Sequence, residues 1–197
     1  MVTTFVLIHG GGHGGWCWRW CANALRAEGH EVYAPTLTGF GDRSHLAAGG
    51  FDTFVTDIAN VVEFEDLHDV VLVGHSMGGV VMPRVAEAMP QRVARAVWLT
   101  AAVCRDGESL LDTIPQSPWI AGAVTIDPDG TPHTDPKLIL EANIHDGTPE
   151  QRAFVGERHR PYPPFALVEP GRLTAFLALG IPTAYVFATL DLSLIHI

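Results

Sequence analysis

The sequence predicts an α/β fold in which helices cover both faces of a mostly parallel sheet. Short apolar runs that end at glycine or proline alternate with helical patterns through residue 103, which is typical of parallel strands joined by right-handed crossovers. Apolar residues make up 47% of the 197 positions and charged residues 17%, as in globular proteins. A chain of this length suits one domain with an insertion.

Each element follows from a local pattern. Apolar runs predict strands at residues 5–8, 31–34, 70–73, 96–100 and 184–188. Helices are predicted at residues 16–28, 52–65 and 77–89. In the second helix Phe54, Ile58 and Val62 recur at helical spacing, and Gly29 follows the first helix as a C-terminal stop.

The alternation of strand and helix breaks between residues 105 and 178, where prolines separate short helical pieces. We predict a helical lid here and not a linker, because the segment carries aromatic residues that need burial: Trp119, Phe154, Phe165 and Phe176. The chain is then a single domain, residues 1–197, with a core formed by residues 1–104 and 179–197.

Charge and hydropathy restrict the partners. The chain has 12 Lys and Arg against 22 Asp and Glu, a net charge of −10, and no basic patch. This argues against nucleic acid or an anionic membrane as the main partner. No run approaches the ~20 apolar residues that a membrane helix needs. The N-terminus has no basic segment, so we expect no signal peptide and a cytoplasmic location.

The three cysteines do not indicate a disulfide framework, because their number is odd and the chain is not small. Cys17 and Cys21 are four residues apart on a predicted helix, a spacing that allows half of a zinc site. Packed thiols are the better interpretation, since no second pair of ligands lies at metal spacing. We therefore expect no metal and no cofactor.

The strongest motif is Gly-His-Ser-Met-Gly at residues 74–78, which follows a predicted strand and opens a predicted helix. In this context G-x-S-x-G predicts a nucleophile elbow with Ser76 on a strained turn. Gly74 and Gly78 would let strand and helix approach closely. The positive end of the helix dipole favours negative charge near the serine.

A glycine-rich loop follows the first strand, His-Gly-Gly-Gly at residues 9–12. Acyl transfer requires preorganised N–H donors for a tetrahedral oxyanion. We expect those donors to be the backbone N–H groups of Met77 and of Gly11, where no side chain obstructs the loop. A dinucleotide fingerprint is an alternative interpretation of the loop, but it leaves the serine motif unexplained.

With these motifs the sequence resembles the α/β-hydrolase superfamily, within it the branch of plant methylesterases, hydroxynitrile lyases and related bacterial esterases. Residues 5–18, 34–44 and 71–79 carry the resemblance. It implies an α/β-hydrolase fold and a serine hydrolase that cleaves a small carboxylic ester through an acyl-enzyme on Ser76. The substrate would be a small-molecule ester, with no nucleic-acid or membrane partner.

The resemblance also implies that the catalytic acid follows a late strand, where Asp191 stands. None of the ten histidines lies where the base belongs, and His196 comes only five residues after Asp191. His9, His13 and His75 are interpreted as hydrogen-bonded structural residues. We therefore expect that the chain is truncated at its C-terminus, that its tail is not native sequence, and that it is close to inactive as it stands.

Four further residues carry expectations about packing. Asp57 is interpreted as a solvated helix-face charge. Pro83 is expected to kink the helix after the elbow without ending it. Met82 and Trp98 are expected in the core.

Two alternative functions are left open. A hydroxynitrile lyase of this branch usually carries Thr where this chain has Gly10 and a Lys near its catalytic histidine, whereas the one lysine here is Lys137 in the lid. This favours the esterase. A non-catalytic receptor of the same fold is the second alternative, because such receptors can retain the catalytic residues.

Overall fold

The structure is a computed structural model that describes residues 1–46, 49–113 and 122–190. Its strands are β1 (Thr4–Ile8), β2 (Glu31–Tyr33), β3 (Val70–Ser76), β4 (Val93–Ala101), β5 (Val124–Ile126), β6 (Pro132–Thr134) and β7 (Thr183–Val186). Its α-helices are α1 (Arg19–Ala27), α2 (Phe51–Phe64), α3 (Gly78–Ala88), α4 (Leu110–Thr113), α5 (Pro136–Asn143), α6 (Pro149–Gly156), α7 (Phe165–Val168) and α8 (Thr174–Ala178).

The main sheet has the order β2-β1-β3-β4-β7, and all of its pairs are parallel. The chain therefore runs outward from β1 to β2 and then crosses to the other side of β1 to form β3. Ligand sites of open α/β sheets lie at such a reversal, beyond the carboxyl ends of the strands. The α/β-hydrolase architecture with its mostly parallel sheet is confirmed.

Alternate residues of β1 face opposite layers, which divides the core in two. Leu7 packs with Trp18 and Ala22 on the α1 side of the sheet. Val6 packs with Ile58 of α2 and other side chains of α2 and α3 on the opposite side. This two-sided burial explains why β1 is almost entirely apolar.

The first predicted helix begins with a single 3-10 turn, Gly15–Trp18, before α1. Gly29 has a φ of +84°, which fits its predicted role as a stop. Strand β3 runs to Ser76, three residues past the predicted end, because its ladder with β4 continues through the serine motif.

Helix α3 continues through Pro83, so the helix is kept as expected. Met82 and Trp98 lie in the core, also as expected.

Arg84, which follows Pro83 in α3, is a buried charge that the sequence did not indicate. Its guanidinium lies 2.7 Å from the Glu169 carboxylate and donates to the Pro170 carbonyl at 2.5 Å, which joins the lid to α3.

The expectation that Asp57 is solvated is wrong. Its side chain is only 8% exposed and forms an ion pair with Arg43 at 2.7 Å. It also accepts hydrogen bonds from the Thr38 N–H at 2.6 Å and from the Thr38 hydroxyl at 2.9 Å. Asp57 therefore holds the loop after β2 against α2.

Between β4 and β7 the described residues form short helices, as predicted for a lid, and also the β5–β6 hairpin, which the sequence did not indicate. Phe176 is buried, whereas Phe154 and Phe165 are partly buried. Trp119 lies outside the described residues. None of the helices in the described ranges is long and apolar enough to cross a bilayer.

Candidate functional site

Ser76 lies at the end of β3, immediately before α3, in the left-handed region of backbone conformation with a φ of +51°. A non-glycine residue held there costs about 1–3 kcal/mol, and such strain clusters at functional sites. The turn needs glycines at both ends: a Cβ on Gly74 would lie 2.6 Å from the Gly78 carbonyl oxygen, and one on Gly78 would lie 2.5 Å from the Ile8 oxygen.

A second strained residue lies beside Ser76 on the neighbouring strand. Thr100 has a φ of +42°, which is unusual for a β-branched residue. The pairing of β3 and β4 shifts here, because His75 is opposite Leu99 and Ser76 is opposite Ala101, so Thr100 bulges out of the ladder. Bulges of this kind turn side chains toward sites at the edge of a sheet.

The glycine-rich loop after β1 is held by its own histidines. The Nδ1 atom of His9 lies 2.7 Å from the Gly10 carbonyl oxygen, and its Nε2 accepts the Leu37 N–H at 3.0 Å. The Nδ1 atom of His13 lies 2.7 Å from the Gly11 oxygen. The structural, hydrogen-bonded role expected for His9 and His13 is confirmed.

His75 is different, because no hydrogen bond of its ring is found among the described residues. It is perpendicular to the rings of Trp18 and His13, each with centroids 6.1 Å away. The hydrogen bond expected for His75 is not present in this part of the chain.

The lid covers the loop with two side chains that sequence reasoning missed. The space beside Gly11 is filled by the ring of Tyr162, and a polar interaction with the Ser76 side chain partly offsets the raised pKa of this phenol. The space beside Gly12 is filled by the ring of His159. The expectation that nothing obstructs the loop at Gly11 is therefore wrong, and the loop is not an open phosphate cradle. Tyr162 stands in a proline-rich stretch without a motif that would have identified it.

A cavity of about 550 Å³ opens beside Ser76 between the sheet, α1 and the lid. Its wall is largely apolar and includes Trp18, Trp20, Leu99, Ile144, Val155 and Leu190. The thiols of Cys17 and Cys21 also line it. Burial raises the pKa of Cys17 to about 12, so this thiol stays protonated at neutral pH.

Burial also keeps the histidines around the site neutral. It lowers the pKa of His9 to about 4 and lowers the pKa of both His75 and His159 to about 3, with neighbouring positive charge as a smaller cause. Burial lowers the pKa of His13 as well. Neither ring nitrogen of His159 has a hydrogen-bond partner in the described part of the chain, although the residue is only 4% exposed.

These shifts predict a loss of stability in acid. Because their folded pKa values lie below the ordinary 6.5, the unfolded chain binds more protons as pH falls. Each histidine then removes about 1.4 kcal/mol of unfolding free energy per pH unit below about 6.5, until its folded pKa is reached. Urea unfolding at pH 7.5, 6 and 5 should show this decline.

His159→Phe should flatten that dependence and stabilise the chain by about 1–3 kcal/mol at pH 5, because it removes an unpartnered buried polar group. His45→Ala, at an exposed position, is the control and should leave the pH slope unchanged. A slope equally steep in wild type and His159→Phe would contradict the assignment.

The site residues expected from the sequence are only partly within the described residues. Ser76 ends β3 and Met77 follows it directly. Gly11 lies in the loop after β1, which pairs with β3. Asp191 lies outside the described residues. Leu190, directly before it, lines the same cavity as Ser76, and the Ala188 N–H donates to the Thr100 hydroxyl at 3.2 Å.

Comparison with known proteins gives close sequence relatives. The carbendazim hydrolyzing esterase of Nocardioides sp. is 43% identical over 118 residues, which cover 59% of this chain and 49% of that esterase. Methylesterase 1 of Arabidopsis thaliana is 35% identical over 136 residues, which cover 59% of this chain and 48% of the relative. The chain spans about half the length of these two relatives.

Solved structures share the fold over nearly the whole chain. An extracellular α/β-hydrolase from a Paenibacillus species, described as homologous in structure and function to tobacco salicylic acid binding protein 2, superposes with a TM-score of 0.78 at 27% identity, covering 95% of this chain and 78% of its own. A pyrethroid hydrolase from Sphingobium faniae gives 0.77 at 24% identity, covering 99% of this chain and 82% of its own. The model of the alpha/beta hydrolase family matches residues 5–196, and the chain therefore belongs to the alpha/beta hydrolase family.

Proposed function

We propose that this protein is a serine hydrolase that cleaves small carboxylic esters through an acyl-enzyme on Ser76. The observation that carries the proposal is the strained turn at Ser76, which presents the residue to the cavity beside the glycine-rich loop. The names of the relatives, a carbendazim hydrolyzing esterase and methylesterases, agree with ester cleavage.

In the proposed mechanism the Ser76 Oγ attacks the ester carbonyl, and the backbone N–H groups of Gly11 and Met77 hold the oxyanion. Neither N–H donates a hydrogen bond within the described residues. Met77 also caps α3, whose positive dipole end favours the developing charge. Loss of the alcohol leaves the acyl-enzyme, which water then cleaves.

The cavity supports a small substrate. A volume of about 550 Å³ and a wall whose exposed surface is more apolar than polar suit an ester with small alkyl or aromatic parts. The wall offers no described Lys or Arg side chain that would select an anionic substrate.

The backbone also favours the esterase over a hydroxynitrile lyase. A Cβ on Gly10 would lie 2.8 Å from the Ser76 Cβ, so this loop has no room for the threonine that the lyases usually carry there. Lys137 lies at the start of α5 in the lid and does not line the cavity of Ser76.

We propose Asp191 as the triad acid, supported by the position of Leu190 in the cavity wall. We also propose that the base is neither His13 nor His75. Both line the cavity, but their lowered pKa values make them weak bases at neutral pH. His145 lines the same cavity from the lid, and the 197-residue chain would be nearly inactive unless His145, His196 or an additional segment supplies the base.

Two substrates and one covalent probe test the reaction class. Release of p-nitrophenol from a p-nitrophenyl ester supports the esterase, and cyanide release from mandelonitrile without ester cleavage would overturn it. In a form of the protein that contains its base, a fluorophosphonate probe should label Ser76. If Ser76 of this folded form stays unlabelled and neither substrate is cleaved, a receptor is favoured.

Replacing Gly11 with alanine should lower kcat by about 10²–10³-fold, the effect of losing one oxyanion donor. The added Cβ would overlap the Tyr162 ring, so either this ring or the loop backbone has to move. Gly49→Ala is the matched control, because its Cβ would meet only the Thr53 hydroxyl, at 3.8 Å. An unchanged turnover number in Gly11→Ala would remove Gly11 from the oxyanion hole.

A further inference from the structure

A short part of the lid, residues 159–162, lies directly on the glycine-rich loop, and we call it the lid strap. The Arg160 N–H donates to the Gly12 carbonyl at 3.0 Å. The ring of His159 packs edge-on against His13, with centroids 5.0 Å apart. The strap is fixed from the other side by the Tyr162 N–H, which donates to the Thr134 hydroxyl of β6 at 3.1 Å.

This anchoring places one side chain between the loop and the nucleophile. The Tyr162 ring lies against Gly11, so closely that a Cβ on this glycine would overlap three ring atoms. The ring atoms nearest to Gly11 include Cζ, which carries the hydroxyl. The Ser76 side chain is a polar neighbour of the same phenol, since it partly offsets the rise in its pKa. The phenol hydroxyl therefore lies near both a proposed oxyanion donor and the proposed nucleophile.

The chemistry of a phenol suits this position. Burial raises the pKa of Tyr162 to about 12, with the hydrogen bond to Ser76 as a smaller, opposing effect. At neutral pH the group thus keeps its proton and acts as a hydrogen-bond donor and not as a base. A donor carried by an anchored backbone and a packed ring needs little reorganisation when charge develops beside it.

We propose that the Tyr162 hydroxyl is a catalytic residue that donates a third hydrogen bond to the oxyanion, beside the N–H groups of Gly11 and Met77. This inference rests on the proposed function. When the bond between the Ser76 Oγ and the carbonyl carbon forms, the π pair moves to the carbonyl oxygen and the Oγ proton leaves to the base or to water. Tyr162 then donates a hydrogen bond to the new oxyanion and keeps its own proton. The lid strap thereby contributes directly to catalysis.

An equilibrium measurement tests this without turnover. A trifluoromethyl ketone with a phenyl group adds reversibly to a serine and gives a tetrahedral oxyanion, whereas the matching methyl ketone reports ground-state binding. We expect Tyr162→Phe to raise the dissociation constant of the trifluoromethyl ketone by about tenfold to a hundredfold, as for a lost hydrogen bond to a charged group. Binding of the methyl ketone should change less than about threefold.

Tyr33→Phe is the matched control, since it removes a phenol hydroxyl of the same kind from β2, whose residues do not line the cavity. Its affinity for both ketones should equal that of the wild type. In esterase assays Tyr162→Phe should lower kcat by a similar factor and leave KM nearly unchanged.

The outcomes separate the two proposals. The serine mechanism fails if ¹⁹F NMR shows no tetrahedral adduct in the wild type, or if Ser76→Ala binds the trifluoromethyl ketone as tightly as the wild type does. The role of Tyr162 then fails with it. If the adduct forms on Ser76 with equal affinity in wild type and Tyr162→Phe, only the role of Tyr162 is overturned. Tighter binding in Tyr162→Phe would make the phenol an obstruction and would also overturn it.

Discussion

Ser76→Ala should lower ester hydrolysis by about 10⁴–10⁶-fold in a form of the enzyme that contains its base, because the hydroxyl is the proposed attacking group. The fold should remain, since alanine at a φ of +51° bears the same backbone strain and the change removes only the hydroxyl group. Initial rates with a p-nitrophenyl ester measure the first effect, and thermal unfolding measures the second.

Ser44→Ala, a change to an exposed turn residue, is the control and should keep full activity. The fluorophosphonate probe should label this variant and leave Ser76→Ala unlabelled. Retention of most hydrolysis in Ser76→Ala would rule out the acyl-enzyme on this residue, whatever the labelling shows.

Most of the sheet could be predicted because its strands are buried on both faces. Residues 5–8 and 70–73 are uninterrupted apolar runs, and local sequence alone indicates such strands. The serine turn could be predicted for a similar reason, since its geometry requires glycine at fixed offsets. In both cases the physical constraint acts between near neighbours in the chain.

The features that the sequence did not reveal depend on contacts between distant segments. Asp57 belongs to an amphipathic helix and resembles a surface charge until Thr38 and Arg43 fold against it. Tyr162 lies 86 positions after Ser76 in a segment without periodicity, and only the docking of the lid strap brings the two together. The bulge at Thr100 likewise arises from the pairing of β3 with β4.

The properties that the base needs follow from the histidines beside Ser76 that the structure describes. A general base works best with a pKa near the operating pH. Burial lowers the pKa of His75 to about 3 and also lowers that of His13, and His13 is already bonded to the Gly11 carbonyl. A mechanism at neutral pH therefore needs a better-solvated imidazole, oriented by a carboxylate such as Asp191.

We expect the 197-residue chain to gain about 10³-fold or more in kcat when it is extended with the C-terminal segment of a related hydrolase, because without a base only oxyanion stabilisation and binding contribute. The Paenibacillus hydrolase is a suitable donor, since this chain covers 78% of it. Histidine-to-alanine substitution in the added segment should abolish the gain. His68→Ala, at an exposed position between α2 and β3, should not affect it. If instead the 197-residue chain is as fast as the extended one and His196→Ala inactivates it, then His196 is the base and the chain needs no further segment.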